Sequence, residues 1–94
     1  MIVEISKNVD KEIEKAPTYI QLKVAEQVEK LKAANSLSEL DNVRRLEGID
    51  EPYYRMTFGK YRFILYYDNE IKKVDVRRFK HRKDAYKKHN LPWR

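Results

Sequence analysis

Apolar positions change their spacing once along this chain, near residue 43. Before that point, Ile2-Val3-Glu4-Ile5 alternates weakly and is rich in β-branched residues, which predicts a short first strand. Val9 and Ile13, four apart, mark a short helix that Ser6 or Asn8 can cap. Pro17 closes that helix and suits the first turn of a second one. Across 19–34 the stripe Ile20, Val24, Val28, Leu31 follows helical spacing, with Glu26 and Lys30 as an i,i+4 pair on the outer face. Asn35-Ser36 ends the helix, and 37–41 reads as a turn or a short helical piece.

Beyond Val43 the period is two. Residues 43–48 form a weak edge segment and 48–52 a loop. Strands are expected over 53–58, 60–68 and 71–80, and the turns at Gly59 and at Asp68-Asn69-Glu70 predict antiparallel pairing of neighbours. Residues 81–89 read as a short helix with Arg82 and Tyr86 on one face, and Trp93 in the last residues as a loose end or an apolar cap. The order β-α-α-β-β-β-α implies an α+β domain, with two N-terminal helices packed on one face of a curved antiparallel sheet. With 94 residues and no repeat, low-complexity tract or linker, one domain over 1–94 is expected.

Strand parity then assigns faces. Tyr61, Phe63, Leu65 and Tyr67 are large and apolar and should meet the helices, which turns Arg62, Ile64 and Tyr66 the other way. By the same rule Tyr54, Met56 and Phe58 face inward and Arg55 and Thr57 outward. Val74 and Val76 face inward, and Asp75, Arg77 and Phe79 outward. Arg55, Arg62 and Arg77 thus gather on one open face among aromatics. Like charges held that close repel unless an anion lies between them, or unless Asp75 pairs with one of them. For Arg62 the plain structural role would be a strand-end salt bridge to Glu70 or Asp75.

Charge sharpens this picture. The net charge is +6, but residues 1–50 carry −2 and residues 51–94 carry +8. A basic half interleaved with aromatics is the footprint of a phosphate-backbone partner, with arginines as bidentate donors and rings as stacking platforms for unpaired bases. The absence of cysteine excludes disulfides, thiolate metal sites and cysteine nucleophiles. His81 and His89 stand eight apart without a carboxylate pair, so no metal and no cofactor is expected. The longest apolar run, 63–67, is far short of a membrane span, and the N-terminus lacks a basic leader, so a cytoplasmic protein with no membrane partner is the plain reading.

Three stretches carry a resemblance: Leu46-Glu47-Gly48; Tyr54 through Tyr66, containing Gly59-Lys60-Tyr61-Arg62; and Val74 through Tyr86, containing His81-Arg82-Lys83-Asp84-Ala85-Tyr86. In this order and at this length they resemble the RelE branch of the RelE/ParE toxin superfamily. The resemblance implies a RelE-like microbial ribonuclease fold and the toxin of a type II toxin–antitoxin system. It also implies a metal-free endoribonuclease that cuts mRNA, in many members on the ribosome, and that a cognate antitoxin neutralises. In such chemistry the substrate's 2′-hydroxyl attacks the adjacent phosphate. The enzyme removes one proton, stabilises the anionic phosphorane and protonates the leaving 5′-oxygen.

Residue by residue, the resemblance gives Arg62 the role of phosphate and transition-state clamp and Arg55 that of base or clamp. Arg82 matches the basic residue of the closing motif, and Tyr86 the tyrosine that stacks on or orients a base. Arg77, Lys60, Lys80 and Lys83 are the accompanying RNA-binding cations. The chain departs from the family pattern at Thr57, where a lysine is expected, and arginine at 55 is a poor base because a guanidinium does not give up its proton in proteins. Either His81 supplies the base, or positioning and charge alone do the work. Two other functions stay open on sequence: a ParE-like gyrase inhibitor, and a toxin fold retained only for interaction.

Overall fold

Ser6 starts the first helix by accepting a hydrogen bond from the Val9 amide at 3.3 Å. In a computed structural model, which describes residues 1–84, the elements run β1 (Ile2–Ile5), α1 (Lys7–Glu14), α2 (Thr18–Ala33), a 3₁₀ turn (Leu37–Glu39), β2 (Val43–Arg45), β3 (Tyr53–Phe58), β4 (Tyr61–Asp68) and β5 (Lys73–His81). Pro17 stands at the start of α2, as its fixed φ suits. Gln21 pins the corner between the helices, its side-chain amide donating to the carbonyls of Glu14 (3.2 Å) and Ala16 (3.0 Å). The outer face of α2 pairs Lys32 with Glu29 at 3.8 Å rather than Glu26 with Lys30.

The strands form one sheet in the order β1-β5-β4-β3-β2. β2, β3, β4 and β5 pair antiparallel, as the turns predict, but β1 lies parallel to β5, with Val3 opposite Val74. The sheet is therefore mixed. β1 covers only the first part of β5, and α1 packs on that strand, with Lys80 Nζ 2.8 Å from Glu12. Lys73, at the β1–β5 pairing, lies 3.0 Å from Glu4, and that hydrogen bond raises its pKa above the ordinary value.

The main core lies between the helices and the sheet. Val9, Ile20, Val24 and Leu31 meet Met56, Phe58, Phe63, Leu65, Val74 and Val76 there. One buried polar side chain, Gln27, accepts from Asn42 Nδ2 at 2.9 Å, and the same amide donates to the Thr57 carbonyl at 2.8 Å. Because the Thr57 amide donates back to the Asn42 carbonyl at 2.9 Å, α2 is tied to β3 by satisfied polar groups.

Two features depart from simple alternation. Leu65 opposes Val76, but Ile64 opposes Arg78, so Arg77 is an extra residue in a bulge on β5. The bulge reverses parity beyond it, and Phe79 lies in the core, 4% exposed, rather than on the open face. The opposite face is also less open than expected. Ile64 is fully buried there in a second cluster with Leu46 and Tyr53, flanked by Ile49 and Tyr66. His81 closes β5, and a turn follows in which the Asp84 amide donates to its carbonyl. The expected roles of Tyr86, His89 and Trp93, and most of the expected 81–89 helix, lie outside the described residues. No helix among the described residues is long and apolar enough to cross a membrane.

Candidate functional site

The β3–β4 turn organises the cations. Gly59 sits at φ 61°, a left-handed conformation that glycine adopts without penalty and that lets β3 reverse into β4. Arg62, half-buried just after the turn, donates from Nη1 to the carbonyls of Gly59 (3.3 Å) and Tyr61 (3.0 Å). That sets the root of its guanidinium against the turn, and no carboxylate lies within ion-pair distance of it among the described residues. Neither Glu70 nor Asp75 pairs with it. The Arg82 amide donates to the Lys60 carbonyl at 2.7 Å, which brings the exposed Arg82 and Lys83 back beside the exposed Lys60. Register puts Lys80 directly across from Arg62, with its ammonium already on Glu12.

A second group of cations stands one rung along. Arg55 lies opposite Ile64, two residues from Thr57, which is itself opposite Arg62. Arg55 is exposed and has no carboxylate at ion-pair distance among the described residues. Arg44 on β2 is directly opposite Arg55, and Arg78 on β5 is opposite Ile64, so three arginines fall in one row across the sheet.

Arg77 is differently engaged. It donates to the Tyr53 hydroxyl at 2.7 Å, lies 3.7 Å from Asp75 and covers the Tyr66 ring at 4.3 Å from its centroid. The expectation that Asp75 neutralises one arginine is met here. Arg77 also caps the second apolar cluster, a cation–π contact adding to its hold.

His81 is placed away from this group. It opposes Tyr61, whose ring meets it edge-on at 5.5 Å, on the helix side of the sheet, whereas Arg62 opposes Lys80 on the other side. Its Nδ1 accepts from the Lys83 amide at 3.3 Å. Among the described residues no three His, Asp or Glu side chains cluster as metal ligands would.

Sequence reasoning missed three cations near the site. Lys23 of α2 would lie 3.9 Å from a β-carbon at Gly59, and nothing in a helical stripe announces which exposed lysine meets the turn. Arg44 and Arg45 stand in a segment whose weak pattern hides its register with β3. With Leu46, Glu47, Ile49 and Arg55 they line a groove of about 760 Å³.

No family model matches the chain. A curated relative named "Putative toxin RelE1", from Methanocaldococcus jannaschii, is 34% identical over 87 residues, which span 90% of this chain and 93% of that protein. A solved RelE-RelB complex from the archaeon Pyrococcus horikoshii OT3 contains a chain with TM-score 0.73 and 27% identity, covering 86% of this chain and 93% of that one. A RelB-RelE antitoxin-toxin complex from Methanococcus jannaschii gives TM-score 0.72 at 24% identity, over 88% and 94%, a likeness of fold. The shared identity along nine-tenths of the sequence and the common arrangement of two helices on a mixed five-stranded sheet lead to one conclusion: the chain belongs to the RelE family of toxins.

Proposed function

We propose that this toxin is an endoribonuclease that cuts mRNA on the ribosome, in the cytoplasm, with residues 1–94 acting as one domain. The observation that carries the reading is the grouping of Arg62 and Arg55 on one sheet face, without acidic partners among the described residues, beside Lys60, Arg82 and Lys83 at the β3–β4 turn. An array of uncompensated guanidiniums costs repulsion and gains only when an anion enters, and a phosphate being cleaved is such an anion. Arg62, held against the turn by two carbonyls, is preorganised to stabilise charge on the phosphorane. Arg55 and Arg82 hold flanking phosphates, and Lys60, Lys80, Lys83 and Arg77 add to the field that draws RNA in.

The 2′-hydroxyl of the substrate is the nucleophile. No lysine stands at 55 or 57 to take its proton and His81 lies on the other face of the sheet, so the arginine field lowers the cost of the developing alkoxide, and proton transfer falls to Tyr86 or water. The partner that restrains the toxin is a cognate antitoxin with an acidic segment. The +8 half of the chain and the antitoxin-toxin complex seen for the Methanococcus jannaschii protein support this.

Cleavage of a translated messenger in a cell-free system tests the reading. Arg62→Ala is expected to keep the fold and lower the rate by roughly 10²–10³, the usual effect of losing one transition-state donor. Undiminished cleavage by Arg62→Ala, or no cleavage by the unaltered chain, would refute it.

A further inference from the structure

Arg44 and Arg55 face each other directly across β2 and β3. Side chains so paired stand on the same face with β-carbons about 5 Å apart, and like charges in that relation destabilise a sheet. No acid relieves them: no carboxylate lies within ion-pair distance of Arg44 or Arg55 among the described residues. Arg44 is further held in place, its Nη1 donating to the carbonyls of Asp41 (2.8 Å) and Val43 (2.9 Å). Arg45 is fixed likewise, donating to the carbonyls of Asp50 and Glu51. Like-charged and, among the described residues, unneutralised, Arg44 and Arg55 stand at the groove that Leu46, Glu47 and Ile49 complete. At about 760 Å³ the groove is of the size that encloses a small ligand, and it combines an apolar wall with one carboxylate.

Resting on the ribonuclease reading, we infer that this groove is a nucleotide subsite flanking the cleavage point. Arg44 and Arg55 hold one phosphate, a base lies against Leu46 and Ile49, and Glu47 accepts a hydrogen bond from that base's amino group. The occupant is RNA rather than an acidic peptide because Arg55 stands one rung, about 6–7 Å of strand, from the Thr57–Arg62 pair on the same face, so one strand can touch both. A carboxylate at the base position favours bases that present an amino donor, cytosine over uracil, and would repel an acidic peptide.

The test is fluorescence anisotropy with short oligo(C) and oligo(U) carrying 2′-methoxy groups, across a salt series, on the full chain. Arg44→Gln leaves Arg55 alone on the shared phosphate and should weaken binding at low salt. Arg44→Gln with Arg55→Gln gives up that phosphate and should reduce the slope of log K against log salt by about 0.7, about fivefold less gain in affinity per tenfold drop in salt. Lys30→Gln, removing the same charge as Arg44→Gln from the outer face of α2, should leave affinity and slope unchanged. The unaltered chain should prefer oligo(C) by about fivefold or more, and Glu47→Ala, in an exposed loop, should bring that ratio near one. Circular dichroism checks that each variant is folded. If Arg44→Gln fails to fold, Glu47→Ala still decides the matter.

The inference is overturned if Arg44→Gln behaves as Lys30→Gln, if the unaltered chain shows no preference for cytosine, or if the preference survives Glu47→Ala. Weakened antitoxin binding by Arg44→Gln with unchanged RNA binding would make the groove a protein site and also overturn it. Should the unaltered chain cleave messenger while these variants behave normally, the subsite falls and the ribonuclease reading stands. Should it neither bind nor cleave RNA, both fall.

Discussion

Replacing Phe79 with alanine separates two descriptions of β5. Uninterrupted alternation puts this ring on the open face, where its loss would cost under about 1 kcal/mol. The bulge at Arg77 puts it in the core instead. It lies 4% exposed, parallel to Tyr61 at 5.2 Å and to Phe58 at 6.1 Å, and edge-on to Phe63 at 5.8 Å. Deleting a buried phenylalanine ring costs about 3–5 kcal/mol, transfer energy plus the cavity left among rings that cannot close on it. A chain of 94 residues has a total stability of about 5–14 kcal/mol, so the substitution removes a large part of it. At about 4–8 °C per kcal/mol, Tm should fall by at least about 12 °C. Phe79→Leu, which refills most of the space, should cost about 1.5 kcal/mol or less. Urea and thermal unfolding followed by circular dichroism measure both. A loss below about 1 kcal/mol in Phe79→Ala would refute the bulge and with it the placement of every side chain beyond Arg77.

Asn42→Ala removes the amide that serves both Gln27 and the Thr57 carbonyl and leaves buried polar atoms without their partner; urea unfolding should show a loss of about 1–3 kcal/mol. Lys73→Met should destabilise the chain by an amount that is steady between about pH 7 and 9. Because the folded-state pKa of Lys73 lies above its ordinary value of 10.5, chiefly through the hydrogen bond to Glu4, the stabilisation is present below 10.5 and fades as pH rises through the folded value. Urea midpoints of the two proteins that converge already below about pH 9 would contradict that.

The elements were legible because each rests on local chemistry. Ser6 as a cap, Pro17 at a helix start, the glycine at 59 and alternation in β3 and β4 all act within a few residues. What stayed hidden depends on partners far along the chain. The parallel docking of β1 on β5 joins residues about seventy positions apart, and a two-residue period is silent about it. The bulge adds one residue to one strand, which no side-chain pattern marks when Arg77 and Arg78 are both polar. Leu46 reads as part of a weak edge segment and Ile49 as a loop residue, yet they close over Ile64 and shut part of the face that parity leaves open. Strand parity put Arg62 on the face away from the helices, where its register opposite Lys80 also has it, whereas the face of His81 followed from register alone.

The central claim is that this arginine-lined face promotes attack by the RNA's own 2′-hydroxyl. The most direct measurement is the end chemistry of the cut messenger, taken from a translation reaction with a parallel substrate carrying one 2′-methoxy group at the cleaved nucleotide. The account predicts fragments ending in a 2′,3′-cyclic phosphate and beginning with a 5′-hydroxyl, and no cut at the methoxy position. Fragments beginning with a 5′-phosphate, or cleavage that continues through the methoxy nucleotide, would contradict it.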